Sequence, residues 1–274
     1  MKAIKLASVF AVSAVAAAVS TTTFAAEPVF TGSAGLEYKA TDADGGDAAG
    51  SNGEVNIIGD TGLVYFDLDM DTGNGNFVLD EAFVKQGAVS FGDFDGSLAD
   101  GAAYSAGVRE DNDGAKKTLG TDLGIRYSVM PGLTVAAEMA EGSSQSSVAA
   151  SYSQDLGVAT LGLSGAFGFG TDADNQIMTA GVSVPAGMAT VTGFYQTGKA
   201  SDADVTSYGL GLDLALTEAV SAAAQYYVDD EADKGGVTEG SLYYTAGDIV
   251  YYVSYVDYEN DTSDYSVIGA EASF

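Results

Sequence analysis

Residues 266–274 read SVIGAEASF, and they close the chain on a bare phenylalanine. Ile268, Ala270, Ala272 and Phe274 fall on one side of a two-residue period, with Val267, Gly269, Glu271 and Ser273 on the other. That period is the signature of a β-strand with one apolar face. What covers the apolar face decides the fold.

The same alternation recurs upstream. In GLVYFDLDMD (62–71), Val64, Phe66, Leu68 and Met70 oppose Tyr65, Asp67, Asp69 and Asp71. In LGTDLGIRYSV (119–129), Leu119, Thr121, Leu123, Ile125, Tyr127 and Val129 oppose Asp122 and Arg126. Tyr208, Leu210, Leu212 and Leu214 oppose Gly209, Gly211 and Asp213, and Val220, Ala222, Ala224, Tyr226 and Val228 oppose Gln225 and Tyr227. A soluble sandwich would alternate in the same way, so the period does not choose between architectures.

The connections do choose. Short turns (MPG at 130–132, DLG at 155–157, PAG at 185–187, LTEA at 216–219, AGD at 246–248) alternate with longer acidic, Gly-rich and Ser-rich loops at 40–52, 71–76, 170–175, 198–204, 229–236 and 259–264. One end of the molecule is tight and the other long and charged, an asymmetry of transmembrane barrels. Sixteen strands are predicted: 29–39, 53–60, 62–70, 77–86, 88–98, 119–129, 132–141, 145–154, 158–168, 175–184, 188–197, 204–215, 218–229, 237–245, 248–258 and 264–274. The fifth and eleventh alternate least well, which leaves fourteen as the other even count. Apart from the short second one, each has about 9–11 residues, enough to cross a bilayer tilted. The expected fold is all-β: a transmembrane antiparallel β-barrel with short periplasmic turns, longer external loops and an aqueous lumen.

Residues 1–25 have a different character. Lys2 and Lys5 precede an apolar run from Leu6 to Val19, and small residues follow, with Thr23 and Ala25 at the −3 and −1 positions of a cleavage site. This is the layout of a secretory signal peptide, and the run is too short to span a ~30 Å hydrocarbon core. Residues 26–274 are then one exported domain.

Composition removes several function classes. The chain has no His and no Cys, which excludes the Ser-His-Asp triad, disulfides and the commonest zinc ligand. Acid pairs occur throughout, so none of them singles out a catalytic site; no enzyme, cofactor or metal centre is expected. The net charge of −29 repels nucleic acid. An apolar fraction of 46% is too high for an acidic disordered chain. DLDMDTGNGNFVLDE (67–81) lacks the Gly and Glu that a calcium loop needs at its sixth and twelfth positions, where Thr72 and Val78 stand.

Three segments carry a family resemblance. SVIGAEASF resembles the closing strand of the general diffusion porins of Gram-negative bacteria, VSFGDFDGSL (89–98) their strand before a constricting third loop, and TSYGLGLDLALTEAVSAAAQYYVDDE (206–231) their late hairpin. The resemblance implies an outer-membrane location among lipid and lipopolysaccharide, a homotrimer, and passive passage of ions and small hydrophilic solutes. It makes Phe274 a signal to the barrel-assembly machinery.

It also implies that the stretch 99–118 folds into the lumen as the third loop, with Asp100, Arg109, Glu110, Asp111 and Asp113 at a constriction facing Lys39, Lys85 and Arg126 on the wall. The family often has an Arg just after the strand-five glycine, and LADGAA has none. With Asp67, Asp69, Asp122 and Asp213 also expected to line the lumen, cation preference is predicted. The other reading is a structural or adhesive barrel whose acidic loops bind divalent ions or partners.

Overall fold

The computed structural model describes residues 28–41, 46–71, 78–109, 119, 121–142, 144–170, 174–200, 203–229, 235–259 and 264–274. The segment 1–25 and the residues Glu110, Asp111 and Asp113 lie outside that set.

Sixteen strands form one closed antiparallel barrel. They are β1 (Val29–Thr41), β2 (Ala48–Asp60), β3 (Val64–Asp71), β4 (Val78–Gln86), β5 (Val89–Asp93), β6 (Leu123–Met130), β7 (Leu133–Met139) and β8 (Ser146–Asp155). The second half is β9 (Thr160–Gly168), β10 (Gln176–Ala186), β11 (Ala189–Ala200), β12 (Ala203–Ala215), β13 (Val220–Asp229), β14 (Gly236–Ala246), β15 (Ile249–Tyr258) and β16 (Tyr265–Ser273). Each strand pairs with its sequence neighbours, and β1 closes on β16 with Ser33 opposite Ser273 and Thr41 opposite Tyr265. Closure leaves no unpaired edge, as hydrocarbon surroundings require.

Burial is reversed relative to a soluble protein. Leu210 is 67% exposed and Ile268 59% on the outer face, while Tyr227 and Val267 of the opposite phase are buried inside. Glu138, Glu239, Gln196, Ser147, Ser207 and Ser254 are almost fully buried. The alternation read from sequence therefore separates outside from lumen. Turns at one end are tight: Gly187 and Gly247 take φ 68° and 64°, a region that any residue with a Cβ avoids.

Three departures from the expected boundaries matter. β2 begins at Ala48 rather than 53, because β1 and β2 continue as a hairpin through residues expected to be loop. β5 stops at Asp93 rather than 98, and β6 starts at Leu123 rather than 119. The expected outward placement of Leu119 and Thr121 is thereby corrected: both are buried. The physical reason is that the chain leaves the wall partway up and turns into the lumen, so both stems of the long connection are packed against protein.

The other irregularity is a register shift between Asp67 and Leu68 where β3 meets β4. Glu81 lies opposite Asp67, but Leu79, not Asp80, lies opposite Leu68. One residue is thus unpaired on β4, which locally breaks the two-residue period.

Candidate functional site

The long connection begins with Phe94, buried, followed by a single 3-10 turn at Leu98–Asp100 with Ser97 as its cap. Its root is held by Glu138 on β7, which the sequence reading did not single out. Glu138 accepts from Ser97 Oγ at 2.6 Å, Leu98 N at 3.0 Å and Thr121 Oγ1 at 3.3 Å. Arg126 Nη2 lies 3.5 Å from the same carboxylate. Arg126 also donates to the Gly96 carbonyl, and its guanidinium stands 4.0 Å from the Phe94 ring centre. Both stems of the loop, at 97–98 and at 121, meet on one buried anion. A buried charge is tolerable only when it is paired and hydrogen-bonded, as this one is.

From there the loop runs along the inner wall. Ala102 N donates to Ser164 Oγ at 3.2 Å, and Ser164 Oγ donates to the Ala99 carbonyl. A Cβ at Gly181 would overlap the Ala102 carbonyl, one at Gly162 would meet the Tyr104 ring, and one at Gly211 would lie 2.8 Å from Ala106 N. These wall glycines form the track on which the main chain lies.

Small apolar clusters fill the space beneath. Ala99 and Leu119 pack with Ala136, Ala149 and Ala166, Ala103 with Phe194 and Tyr227, and Ala106 and Val108 with Ala223.

The far end reaches the barrel seam. Gly107 N donates to Asp213 Oδ1 at 2.8 Å, and Arg109 N to Ser241 Oγ at 2.9 Å. Arg109 Nη2 sits 3.0 Å from Glu271 Oε2 on β16 and 3.9 Å from Glu37 Oε2 on β1. It also donates to Tyr252 Oη at 3.1 Å, and the guanidinium lies 4.2 Å from the Tyr252 ring centre.

The wall cations are not gathered into one patch. Lys39, near the loop end of β1, stands with Nζ 3.3 Å over the Tyr265 ring. Lys85, next to the last residue of β4 at the turn end, bonds Asp60 Oδ2 at 2.7 Å. Arg126 is committed to Glu138 and the loop root. Between Lys85 and Arg126 the rings of Tyr65 and Phe83 stack with centroids 4.9 Å apart, and Phe94 lies tilted against Phe83 at 4.8 Å.

The acids divide into two groups. Asp213 pins the loop, and Asp122 accepts the Phe94 N–H through its carbonyl at 3.2 Å. Asp100 lies in the 3-10 turn. Asp67 and Asp69, by contrast, share the inner face of β2–β4 with Glu54, Asn56 and Glu81: Asp67 lies opposite Glu81, and Asp69 opposite Asn56. Asp80, at the register shift, joins them, an acid that strict alternation had left out. Phe274 continues the seam, with its N–H donating to the Gly32 carbonyl at 2.9 Å and Gly32 N donating back at 3.1 Å.

The fold is shared with known proteins. The sequence pattern of the Gram-negative porin family matches residues 84–234, more than half of the chain. No curated protein matches it. Among solved structures, a loop-deletion form of OmpT, an outer membrane protein of Vibrio cholerae, superposes with a TM-score of 0.65 at 15% identity, covering 90% of this chain and 99% of its own. A triple mutant of the porin of Rh. blastica gives 0.64 at 15%, covering 90% and 100%. OmpT in its trimer form gives 0.64 at 13%, covering 90% and 99%. At such identities the superpositions speak to the fold, and the matched pattern speaks to the family. The chain belongs to the Gram-negative porins: a sixteen-stranded channel of the outer membrane and not an enzyme.

Proposed function

We propose that this porin is a water-filled, cation-preferring channel for passive diffusion of ions and small hydrophilic solutes. The observation that carries the preference is the unequal pairing of lumen charges. Lys85, Arg109 and Arg126 each stand against a carboxylate, and Lys39 lies over a ring. Glu54, Asp67, Asp69, Asp80 and Glu81, crowded on the β2–β4 wall, form no salt bridge among the described residues. A concave low-dielectric wall of one sign concentrates counter-ions and raises their local density. Asp100 and the loop acids Glu110, Asp111 and Asp113 add to that field in this reading.

Conductance of the purified protein in planar bilayers under a salt gradient tests the proposal. The reversal potential should fall on the cation side, and Asp67→Asn with Asp69→Asn should move it toward zero. A reversal potential at zero or on the anion side would refute the preference, and a folded barrel that passes no current would favour a structural or adhesive role.

Three further assignments belong to the same reading. Residues 1–25 act as the export signal, so the mature chain should have the mass of a protein starting at Ala26. Phe274, paired to Gly32, is read by the assembly machinery. Three copies associate, as the trimer form of OmpT does, and current steps should arrive in threes.

A further inference from the structure

Beneath the loop, on its turn-end side, lies a cavity of about 450 Å³ lined by Ala103, Tyr104, Ser105, Thr160, Ser183 and Thr192. The volume falls within the ~300–1,000 Å³ range of small-ligand sites. Its wall is a register feature: Ser183 lies directly opposite Thr160 on β9 and directly opposite Thr192 on β11. Three hydroxyl side chains thus stand in one row across three strands, one step below the Gly162–Gly181 pair that carries the loop. The loop supplies the roof, with the Ser105 hydroxyl and the Tyr104 ring, whose Oη lies 3.2 Å from Ser153 Oγ.

Two properties set this cavity apart from the rest of the lumen. None of its lining residues carries a carboxylate, an ammonium or a guanidinium, although the chain has 39 acids. Thr192, 6% exposed, lines it with a side chain whose Oγ1 has no partner among the described residues and lies toward Gly211, where an added Cβ would come within 2.4 Å of it. The next wall position across from Thr192 is Gly211, which adds no competing side chain.

Hydroxyl groups both donate and accept. A row of them, roofed by an aromatic ring, fits a ligand whose own surface alternates donors and acceptors around an apolar ring face. An ion would find no charge to meet here, and an anion would in addition be repelled by the acid wall.

We propose that this cavity is a weak binding site for a small neutral polyhydroxylated solute, of the monosaccharide class, on its way through the channel. The proposal deepens the open-channel reading and rests on it for its place on the permeation path.

The test uses the full-length barrel folded in detergent and in bilayers, with glucose as the probe. Calorimetric titration should show saturable binding of glucose and none of gluconate, and single-channel current should fall in a saturating way as glucose rises. A polyethylene glycol of similar size should lower the current only in proportion to viscosity. The near-isosteric changes Thr160→Val, Ser183→Ala and Thr192→Val, made together, should leave the glucose-free conductance unchanged and weaken binding about tenfold or more.

A strictly linear response to glucose, or unchanged saturation in the triple variant, would overturn the site. Tyr104→Phe, which keeps the ring, provides a milder second variant whose affinity should fall less. Binding without conductance would refute the channel reading and with it the site's place on a permeation path, leaving the cavity as a binding site alone. Conductance without saturable binding would do the reverse.

Discussion

The two sides of the lumen are built from the same alternating strands and have opposite characters. On β7–β13 many inward positions beneath the loop are small or hydroxylated (Ala136, Ala149, Gly162, Ser164, Ala166, Gly181, Gly211, Ala223), and the loop packs against them as a helix would pack on a soluble sheet. On β2–β4 the inward positions include Glu54, Asn56, Asp67, Asp69 and Glu81 beside the Tyr65 and Phe83 rings. The first side is a core and the second faces the water path. The difference lies in side-chain size and charge at every second residue, not in backbone geometry. A porin can therefore narrow its channel by shrinking the residues of one wall and tune selectivity by charging the other.

Three substitutions would break or sharpen this contrast. The largest effect should come from Glu138→Ala. It strips the loop root of its shared acceptor and leaves the largely buried Arg126 without its carboxylate, at a cost of about 3–5 kcal/mol. Heat-modifiable gel mobility should report the loss of stability, and the surviving channels should conduct more, because the loop is no longer held at its stems. A variant with wild-type melting and conductance would remove Glu138 from the account.

Gly181→Ala comes second. The added methyl overlaps the Ala102 carbonyl, so the loop must lift at a cost of about 1–3 kcal/mol, with a change in single-channel conductance. Gly240→Ala, on the outer face where nothing lies within 4 Å, is the control for the methyl itself and should leave both unchanged. Equal behaviour of the two glycines would mean that the loop does not lie on that track.

The smallest effect is expected for Arg109→Ala. The ion pair with Glu271 is partly solvated, worth about 0.2–1 kcal/mol, and Asp213 and Ser241 still tether the neighbouring backbone. The expected result is a nearly unchanged melting point with increased current noise, since the loop end can then leave the seam. Traces from Arg109→Ala as quiet as those of the wild type would count against a restraining role for Arg109.

Much of this was legible in the sequence, and the reasons can be assigned. The outward set from Val220 to Val228 and the inward Tyr227 followed from period two, because lipid and lumen are chemically so different that each strand must segregate its residues. The loop's route was not legible. Glu138 in LTVAAEMAEG reads as one more lumen acid, and Gly162, Gly181 and Gly211 read as ordinary strand glycines, because nothing local states what approaches them from across the barrel. Leu119 and Thr121 misled for the opposite reason: they keep the alternation of the strand after the backbone has left the wall. Asp80 was hidden by the register shift at Asp67 and Leu68, which no composition rule predicts. Lys39, Lys85 and Arg126 were legible as wall cations, but their positions along the barrel height and the partners that occupy them were not.

Arg109 has a consequence for the order of events in biogenesis. It reaches Tyr252, 143 positions later in the chain, and beyond it both terminal strands at Glu37 and Glu271. Contacts so distant in sequence form late, after the entropy of bringing the segments together has been met. The loop's final contact therefore doubles as a report that the last strand has arrived. An unfinished barrel, still open between β1 and β16, would hold its loop at Glu138, Asp213 and Ser241 but could not bring Glu37 and Glu271 together on Arg109.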